Sequence, residues 1–240
     1  MITVHADIVG SLLRPPELLK AQARRAAGTI SQAQFKEIED RAVDEAIALQ
    51  EAVGLEVVTD GEMRRQSFQS QMTAAVSGFG EFTLDAFLWG EWYDEDGVHR
   101  KARPRALGAT SKLVRQRYLS VEEFVYLKSK TTAIPKITLP SPGLWANFWS
   151  VEHSKAAYPT LDNFLADIVQ ILRDEVKELV RLGATYIQID APHYGLLLDP
   201  KTRSFYEGQG WSLDQWLGRG IELDNAVMDG FPGVTFGFHI

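Results

Sequence analysis

The sequence contains no cysteine among its 240 residues. This absence excludes disulfide bonds, a thiol nucleophile and any cysteine-ligated metal site built from these residues alone. The chain also lacks an apolar run near the ~20 residues that a membrane span requires. Its N-terminus has no basic region followed by an apolar stretch, so it does not resemble a signal peptide. These absences predict a cytoplasmic protein that has no membrane partner.

Long runs of like charge are also absent, and the net charge is −7, with 32 acidic and 25 basic residues. A nucleic-acid surface usually needs a basic patch, so we expect no nucleic-acid partner. The hydrophobic fraction of 45% and the charged fraction of 24% are typical of a globular protein. Because we find no repeat, low-complexity segment or linker, we predict a single domain over residues 1–240.

Segments typical of strands alternate with segments typical of helices. The predicted strands are residues 2–9, 55–59, 105–114, 134–139, 184–190 and 234–240. Such alternation predicts an α/β fold with a parallel sheet and right-handed crossovers. About six strands with polar residues at their C-terminal ends indicate a (β/α)8 barrel of the TIM type that is incomplete at its C-terminal end. We expect the remaining strands to be absent from this sequence or supplied by a complementing chain.

Residues 79–105 interrupt this alternation. They contain several aromatic residues and the turn signal Asp-Glu-Asp-Gly at 94–97, followed by a basic stretch. This pattern predicts a hairpin insertion that projects from the barrel domain.

The strand at 184–190 ends on a carboxylate, Asp190, and Pro192 then stops the strand. Ligands bind at the C-terminal ends of parallel strands, so Asp190 is a candidate functional residue. The alternative, that Asp190 only caps the next turn, stays open. The Gly10–Ser11 turn after the first strand has the same two interpretations, as a ligand contact or as a simple connection.

Two further groups follow predicted strands. Residues 60–65 hold two carboxylates and two arginines, which form either a functional site or a solvated charged loop. Trp145 and Trp149 follow the strand at 134–139, where an indole can stack on a flat ring or belong to the core.

Five segments of the chain together resemble the motifs of one family. They are residues 6–15, 58–65, 137–142, 187–192 and 237–240. They resemble, in the same order, motifs of short proteins related to the C-terminal domain of cobalamin-independent methionine synthase. Each segment alone is a weak signal, but their order and their spread over almost the whole chain make the resemblance specific.

The resemblance implies a zinc-dependent methyl transfer to a thiol such as homocysteine, in methionine biosynthesis. The implied activity is that of a 5-methyltetrahydropteroyltriglutamate–homocysteine S-methyltransferase, with a methyl-tetrahydrofolate or a methyl-corrinoid as donor. In the family, zinc binds the substrate thiolate, which lowers the thiol pKa. His239 matches the family's histidine ligand. The resemblance places the other zinc ligands, two cysteines and a glutamate, beyond residue 240.

The resemblance also assigns substrate contacts. Gly10 and Ser11 match the segment that holds the substrate carboxylate, and Glu62 and Asp190 match acids that hold its amino group. These two acids are also the candidate catalytic residues. The resemblance places the methyl donor's ring near one of two tryptophans, Trp145 or Trp149.

Two other functions remain open. A metal-free barrel like uroporphyrinogen decarboxylase would use Asp60 or Asp190 with arginines such as Arg14 and Arg64. Alternatively, the chain is an inactive fragment or one subunit of a split barrel, which would form a homo-oligomer or bind a complementing chain. We expect the isolated 240-residue chain to have negligible catalytic activity and to bind zinc weakly.

Overall fold

The computed structural model describes residues 6–66, 70–81, 91–93, 99–101 and 107–240, and the structural statements below concern these residues. Their α-helices are α1 Pro16–Ala26, α2 Gln32–Ala52, α3 Ser70–Ala75, α4 Val121–Lys130, α5 Leu161–Arg181, α6 His193–Leu196, α7 Pro200–Gly208 and α8 Leu213–Met228. A 3₁₀ helix spans Pro142–Phe148. None of these helices is both long enough and apolar enough to cross a membrane.

Local sequence signals explain where the longer helices begin. Ser31 and Ser212 each form a capping box with the glutamine three residues later, which satisfies free N–H groups at the start of α2 and α8. Thr160 caps α5 by accepting a hydrogen bond from the backbone N–H of Asn163.

The strands form one parallel sheet and two antiparallel pairs. They are β1 Val57–Val58, β2 Val76–Glu81, β3 Glu91–Tyr93, β4 His99–Lys101, β5 Leu107–Arg115, β6 Ile134–Pro140, β7 Tyr186–Asp190 and β8 Thr235–His239. The parallel sheet has the order β1-β6-β7-β8. Pro140, Asp190 and His239 are register partners, so the C-terminal ends of β6, β7 and β8 are level.

The structure confirms the α/β class and the parallel sheet, but it corrects the strand count. Within the segment predicted as a third parallel strand, 105–114, residues 107–114 instead belong to β5, which pairs antiparallel with β2. Residues 6–9 form no strand, and residues 1–5 lie outside the described part of the chain. The described residues therefore hold four parallel strands instead of about six, because an apolar pattern identifies a strand and not its partner.

Most of the predicted hairpin insertion at 79–105 lies outside the described residues. Within that range, β3 and β4 pair antiparallel, with Glu91 opposite Lys101. Strands β2 and β5 flank this range on either side and pair with each other.

The main core lies between the parallel sheet and the helices that cover it. All five residues of β7 are buried, as expected for a central parallel strand covered on both faces. Helix α5 contributes a buried apolar face that includes Ile168, Leu172 and Val176. Each such side chain contributes about 1.5–3 kcal/mol when it is fully buried, so this packing holds the C-terminal strand ends in place.

Candidate active site

A cavity of about 340 Å³ opens at the C-terminal ends of the parallel strands. Its lining residues are Val9, Gly10, Ser11, Glu62, Asp190, Pro192 and His239. The structure thus brings together five residues that the sequence analysis selected from four distant segments, namely Gly10, Ser11, Glu62, Asp190 and His239.

The turn after β1 aims the Glu62 side chain into this cavity. Gly61 and Glu62 both have positive φ angles, 65° and 54°. A non-glycine residue in this conformation costs about 1–3 kcal/mol and persists only where its surroundings hold it. Here Asp60 Oδ1 accepts a hydrogen bond from the Glu62 N–H at 2.9 Å, and Thr59 Oγ1 accepts one from the Gly61 N–H at 3.0 Å. The strained turn therefore fixes the direction of a buried carboxylate.

The Gly10–Ser11 turn lies directly against Glu62. The Ser11 hydroxyl donates a hydrogen bond to Glu62 Oε2. Arg14 anchors the same segment, because its guanidinium donates to the backbone carbonyls of Glu62 at 3.1 Å and Arg65 at 2.6 Å. A Cβ atom added at Gly10 would lie 2.9 Å from Glu62 Oε1, so only glycine allows this approach.

A buried group of charges lies behind Glu62. Glu62 Oε1 accepts hydrogen bonds from the Thr138 hydroxyl at 2.7 Å and from Arg65 Nη1 at 3.1 Å. The other edge of the Arg65 guanidinium donates to Glu123 at 2.7 and 3.0 Å. Burial disfavours the charged form of Arg65, but the charges of Glu123 and Glu62 outweigh burial and raise the Arg65 pKa.

Asp60 is the third carboxyl of this group. It is almost fully buried, and its Oδ2 has no hydrogen-bond partner among the described residues. Burial, followed by the negative charge of Glu123, raises the Asp60 pKa to about 7, and Arg65 opposes this shift. Asp60 also holds the Glu62 turn, because its Oδ1 accepts the hydrogen bond from the Glu62 N–H.

Asp190 and His239 meet on the opposite side of the cavity, on neighbouring strands. His239 Nδ1 lies 3.2 Å from Asp190 Oδ1, which also accepts a hydrogen bond from Gln188 Nε2 at 2.6 Å. Burial raises the Asp190 pKa and the Glu62 charge adds to the shift, whereas Gln188 and His239 lower it. An ionised Asp190 would accept a hydrogen bond from the Nδ1–H group of His239, which leaves Nε2 as the nitrogen available for a ligand.

Lys136 is a structural part of the site that the sequence analysis missed. Its fully buried Nζ donates to Asp7 Oδ2 at 2.9 Å and to Gln188 Oε1 at 2.8 Å. Gln188 Nε2 in turn donates to the Val9 carbonyl at 2.7 Å, next to the Gly10 turn. A lysine inside the mostly apolar strand β6 was the available signal, since buried lysines are almost always paired.

Two predicted site residues lie elsewhere. Trp145 is fully buried and stacks with Phe79 at 6.1 Å, and Trp149 is 3% exposed and bonded through Nε1 to the Tyr158 carbonyl. Both indoles belong to the main core and neither lines the cavity. Because an enclosed indole has no open face, this geometry does not support stacking of either tryptophan on a methyl donor.

The described residues do not form a metal centre by themselves. Among them, no group of three or more His, Asp or Glu side chains is placed to hold a metal ion. His239 is the one member of the implied zinc ligand set that this sequence contains, and one histidine does not bind zinc tightly.

The lining of the cavity suits an organic cation beside an anion. Glu62 and Asp190 face the cavity with carboxylates, and none of the described residues that line it is a lysine or an arginine. Carboxylates accept charge-assisted hydrogen bonds from an ammonium group. Because the Ser11 hydroxyl donates to Glu62, the candidate donors for a ligand carboxylate are the backbone N–H groups of the Gly10–Ser11 turn. Together these groups match the two ends of an α-amino acid.

Comparison with known proteins gives consistent results. A family model described as cobalamin-independent synthase, catalytic domain, matches residues 2–215. A methionine synthase from Pyrococcus abyssi is 33% identical over 187 residues, which cover 78% of this chain and 51% of that protein. The uncharacterized protein YxjH from Bacillus subtilis is 28% identical over 238 residues, which cover 98% of this chain and 61% of that protein.

A solved structure has the same fold. The B12-independent methionine synthase from Shewanella sp. W3-18-1, determined in complex with selenomethionine, aligns with a TM-score of 0.67 at 19% identity. The alignment covers 98% of this chain and 60% of that one. This chain thus spans about half to three fifths of the length of these relatives. Because the family model matches most of its residues, the chain belongs to the cobalamin-independent methionine synthase family.

Proposed function

We propose that this chain provides the amino-acid-binding part of a methyltransferase that transfers a methyl group to the thiol of homocysteine. The observation that carries this proposal is the shared cavity lined by Ser11, Glu62, Asp190 and His239. Membership of the family supports the reaction type, and the paired carboxylates support an α-amino acid as ligand.

In this proposal the substrate ammonium lies between Glu62 and Asp190, and its carboxylate faces the Gly10–Ser11 turn. The side chain then extends toward His239, whose Nε2 is available because Nδ1 faces Asp190. Holding the amino acid at both ends lowers the entropic cost of bringing the sulfur to a methyl donor. The described residues form no zinc site around His239, so the proposal includes no step that depends on zinc.

The proposal extends to the fold and the partners. We infer that the four-stranded parallel sheet is part of a (β/α)8 barrel, in which active sites lie at the C-terminal strand ends. The methyl donor is a folate or a methyl-corrinoid, and the complete site forms with a homo-oligomeric or complementing chain. These parts of the proposal rest on family membership.

The porphyrinogen alternative is less consistent with this site. Its substrate carries several carboxylates and would need free cations. Arg14 is occupied by the carbonyls of Glu62 and Arg65, and Arg64 is paired with Glu39 and Asp40. Neither arginine lines the cavity.

Isothermal titration calorimetry of the 240-residue chain tests the amino-acid site. We expect L-homocysteine to bind and its desamino analogue, 4-mercaptobutanoate, to bind about tenfold to a hundredfold more weakly, since one charge-assisted hydrogen bond contributes about 1.5–3 kcal/mol. Methyl transfer is measured in parallel with a methyl-folate or methyl-corrinoid donor. Absence of homocysteine binding at about 10 mM ligand would contradict the proposal, because even a weak complex registers there.

Replacing Gly10 by Ala is expected to weaken homocysteine binding by about tenfold, because moving the Glu62 carboxylate weakens its hydrogen bond to the ammonium group, and a hydrogen bond to a charged group contributes about 1.5–3 kcal/mol. The added Cβ would press on Glu62 Oε1 and move the carboxylate. Calorimetry measures the affinity, and thermal unfolding checks the fold. Gly218→Ala is the matched control, since a Cβ there meets nothing within 4 Å. Equal affinities for Gly10→Ala and wild type would show that this contact does not position Glu62.

A further inference from the structure

We propose that Arg65 is a positioning residue that holds the Glu62 carboxylate in the orientation that receives the ligand's ammonium group. This inference rests on the proposed function, because it concerns how Glu62 is presented to the amino acid. Arg65 does not line the cavity, so it acts through Glu62 and does not touch the ligand itself.

The two edges of the Arg65 guanidinium have different partners. Nε and Nη2 donate to the same oxygen of Glu123, and Nη2 also donates to the Ser120 hydroxyl at 3.3 Å. Nη1 is then directed at Glu62 Oε1, 3.1 Å away, and at the Thr138 hydroxyl, 2.9 Å away. Because the guanidinium is planar and rigid, the pairing with Glu123 fixes where Nη1 points.

The Glu62 carboxylate is left with one free acceptor position on the cavity side. Its Oε1 accepts from both Thr138 and Arg65, and its Oε2 accepts from Ser11. A carboxylate has about four lone-pair sites. Three donors from the protein therefore hold the group in place and leave about one site for an ammonium N–H.

The balance of charge makes Arg65 necessary for this arrangement. Asp60, Glu62 and Glu123 are each no more than 3% exposed, and Arg65 is the buried guanidinium that contacts two of them. Without Arg65, Glu62 Oε1 would lose a charge-assisted hydrogen bond, and the guanidinium would no longer lie between Glu62 and Glu123. A Glu62 carboxylate that has turned away from the cavity no longer contacts the ligand's ammonium group.

The test measures the preference for L-homocysteine over 4-mercaptobutanoate. A purely structural role of Arg65 would not change this preference. Calorimetry gives the affinity of wild type and Arg65→Met for L-homocysteine and for 4-mercaptobutanoate. We expect Arg65→Met to weaken homocysteine binding by about tenfold or more, which corresponds to at least one charge-assisted hydrogen bond. Binding of 4-mercaptobutanoate, which lacks the ammonium, is expected to stay unchanged.

Arg64→Met is the matched control, because the Arg64 side chain is only 6% exposed and is paired with two carboxylates, Glu39 and Asp40, away from the cavity. We expect it to lower the melting temperature without changing the preference. Two milder variants keep the test decisive if Arg65→Met does not fold. Arg65→Lys retains the charge and should keep part of the preference for homocysteine. Thr138→Val removes one donor to Glu62 and should lose part of that preference.

The outcomes separate the two levels of the proposal. A wild-type protein that binds both ligands equally would overturn the role of Glu62 in the proposed function, and the inference would fall with it. A full wild-type preference for homocysteine that persists in Arg65→Met or in Thr138→Val would overturn the inference alone. Equal weakening of both ligands in these variants would also overturn it, because it would indicate a general loss of structure.

Discussion

Replacing Asp190 by Asn is expected to reduce the affinity for homocysteine by about tenfold to a hundredfold, because a hydrogen bond to a charged group contributes about 1.5–3 kcal/mol. Asparagine keeps an oxygen that can accept from Gln188 and His239, so the substitution removes the charge with little change in shape. Calorimetry measures the affinity, and thermal unfolding verifies that the protein remains folded.

Asp224→Asn is the control for the loss of a buried carboxylate. Asp224 accepts hydrogen bonds from the Ser141 hydroxyl at 2.6 Å and the Tyr194 hydroxyl at 2.8 Å, and it does not line the cavity. Its substitution should change the melting temperature and leave homocysteine binding unchanged. If both variants bind homocysteine as wild type does, Asp190 does not contact the ligand's ammonium group.

Replacing Lys136 by Met is expected to lower the free energy of unfolding by about 3–5 kcal/mol, the range seen when one partner of a buried ion pair is removed. Methionine has a similar length and fills the space, but it cannot donate. Asp7 Oδ2, the Ile8 carbonyl and Gln188 Oε1 would each lose a hydrogen bond from Nζ. Urea unfolding followed by circular dichroism measures the change.

Lys177→Met provides the comparison with a surface ion pair. Lys177 is 55% exposed and lies 3.3 Å from Asp174 on helix α5. Exposed pairs contribute about 0–1 kcal/mol, so this substitution should change stability very little. A Lys136→Met protein as stable as Lys177→Met would show that the segment before Gly10 is held by contacts other than Lys136.

The loss of Lys136 should also affect the cavity. Lys136 and Gln188 together hold the backbone of Ile8 and Val9, immediately before the Gly10–Ser11 turn. A ligand group that binds to this turn depends on its placement. We therefore expect folded Lys136→Met protein to bind homocysteine more weakly, an effect that a remote loss of stability would not produce.

The candidate site was in part visible in the sequence. Ser11, Glu62, Asp190 and His239 each follow or end a β-rich segment, and parallel strands bring such ends to one edge. In the structure, all four residues line the same cavity. Their individual roles stay proposals, and the ligand experiments above are designed to test them.

The supporting residues were not visible in the same way. Arg65 was one of several charges in a segment that could equally have been a solvated loop, and its partner Glu123 lies 58 positions away. Lys136 lies 129 positions from Asp7. The sequence showed these charged groups, but charge and spacing do not indicate which distant partner each one has.

The sequence by itself determined the α/β class, the helix starts and the acids at the strand ends, because capping, apolar patterning and chain breaks depend on neighbouring residues. Only the tertiary structure decided that β5 pairs with β2, that Trp145 and Trp149 lie in the core, and that Arg65 and Lys136 are buried among carboxylates. The physical reason is that pairing and burial depend on contacts between segments far apart in the chain, which local patterns do not encode.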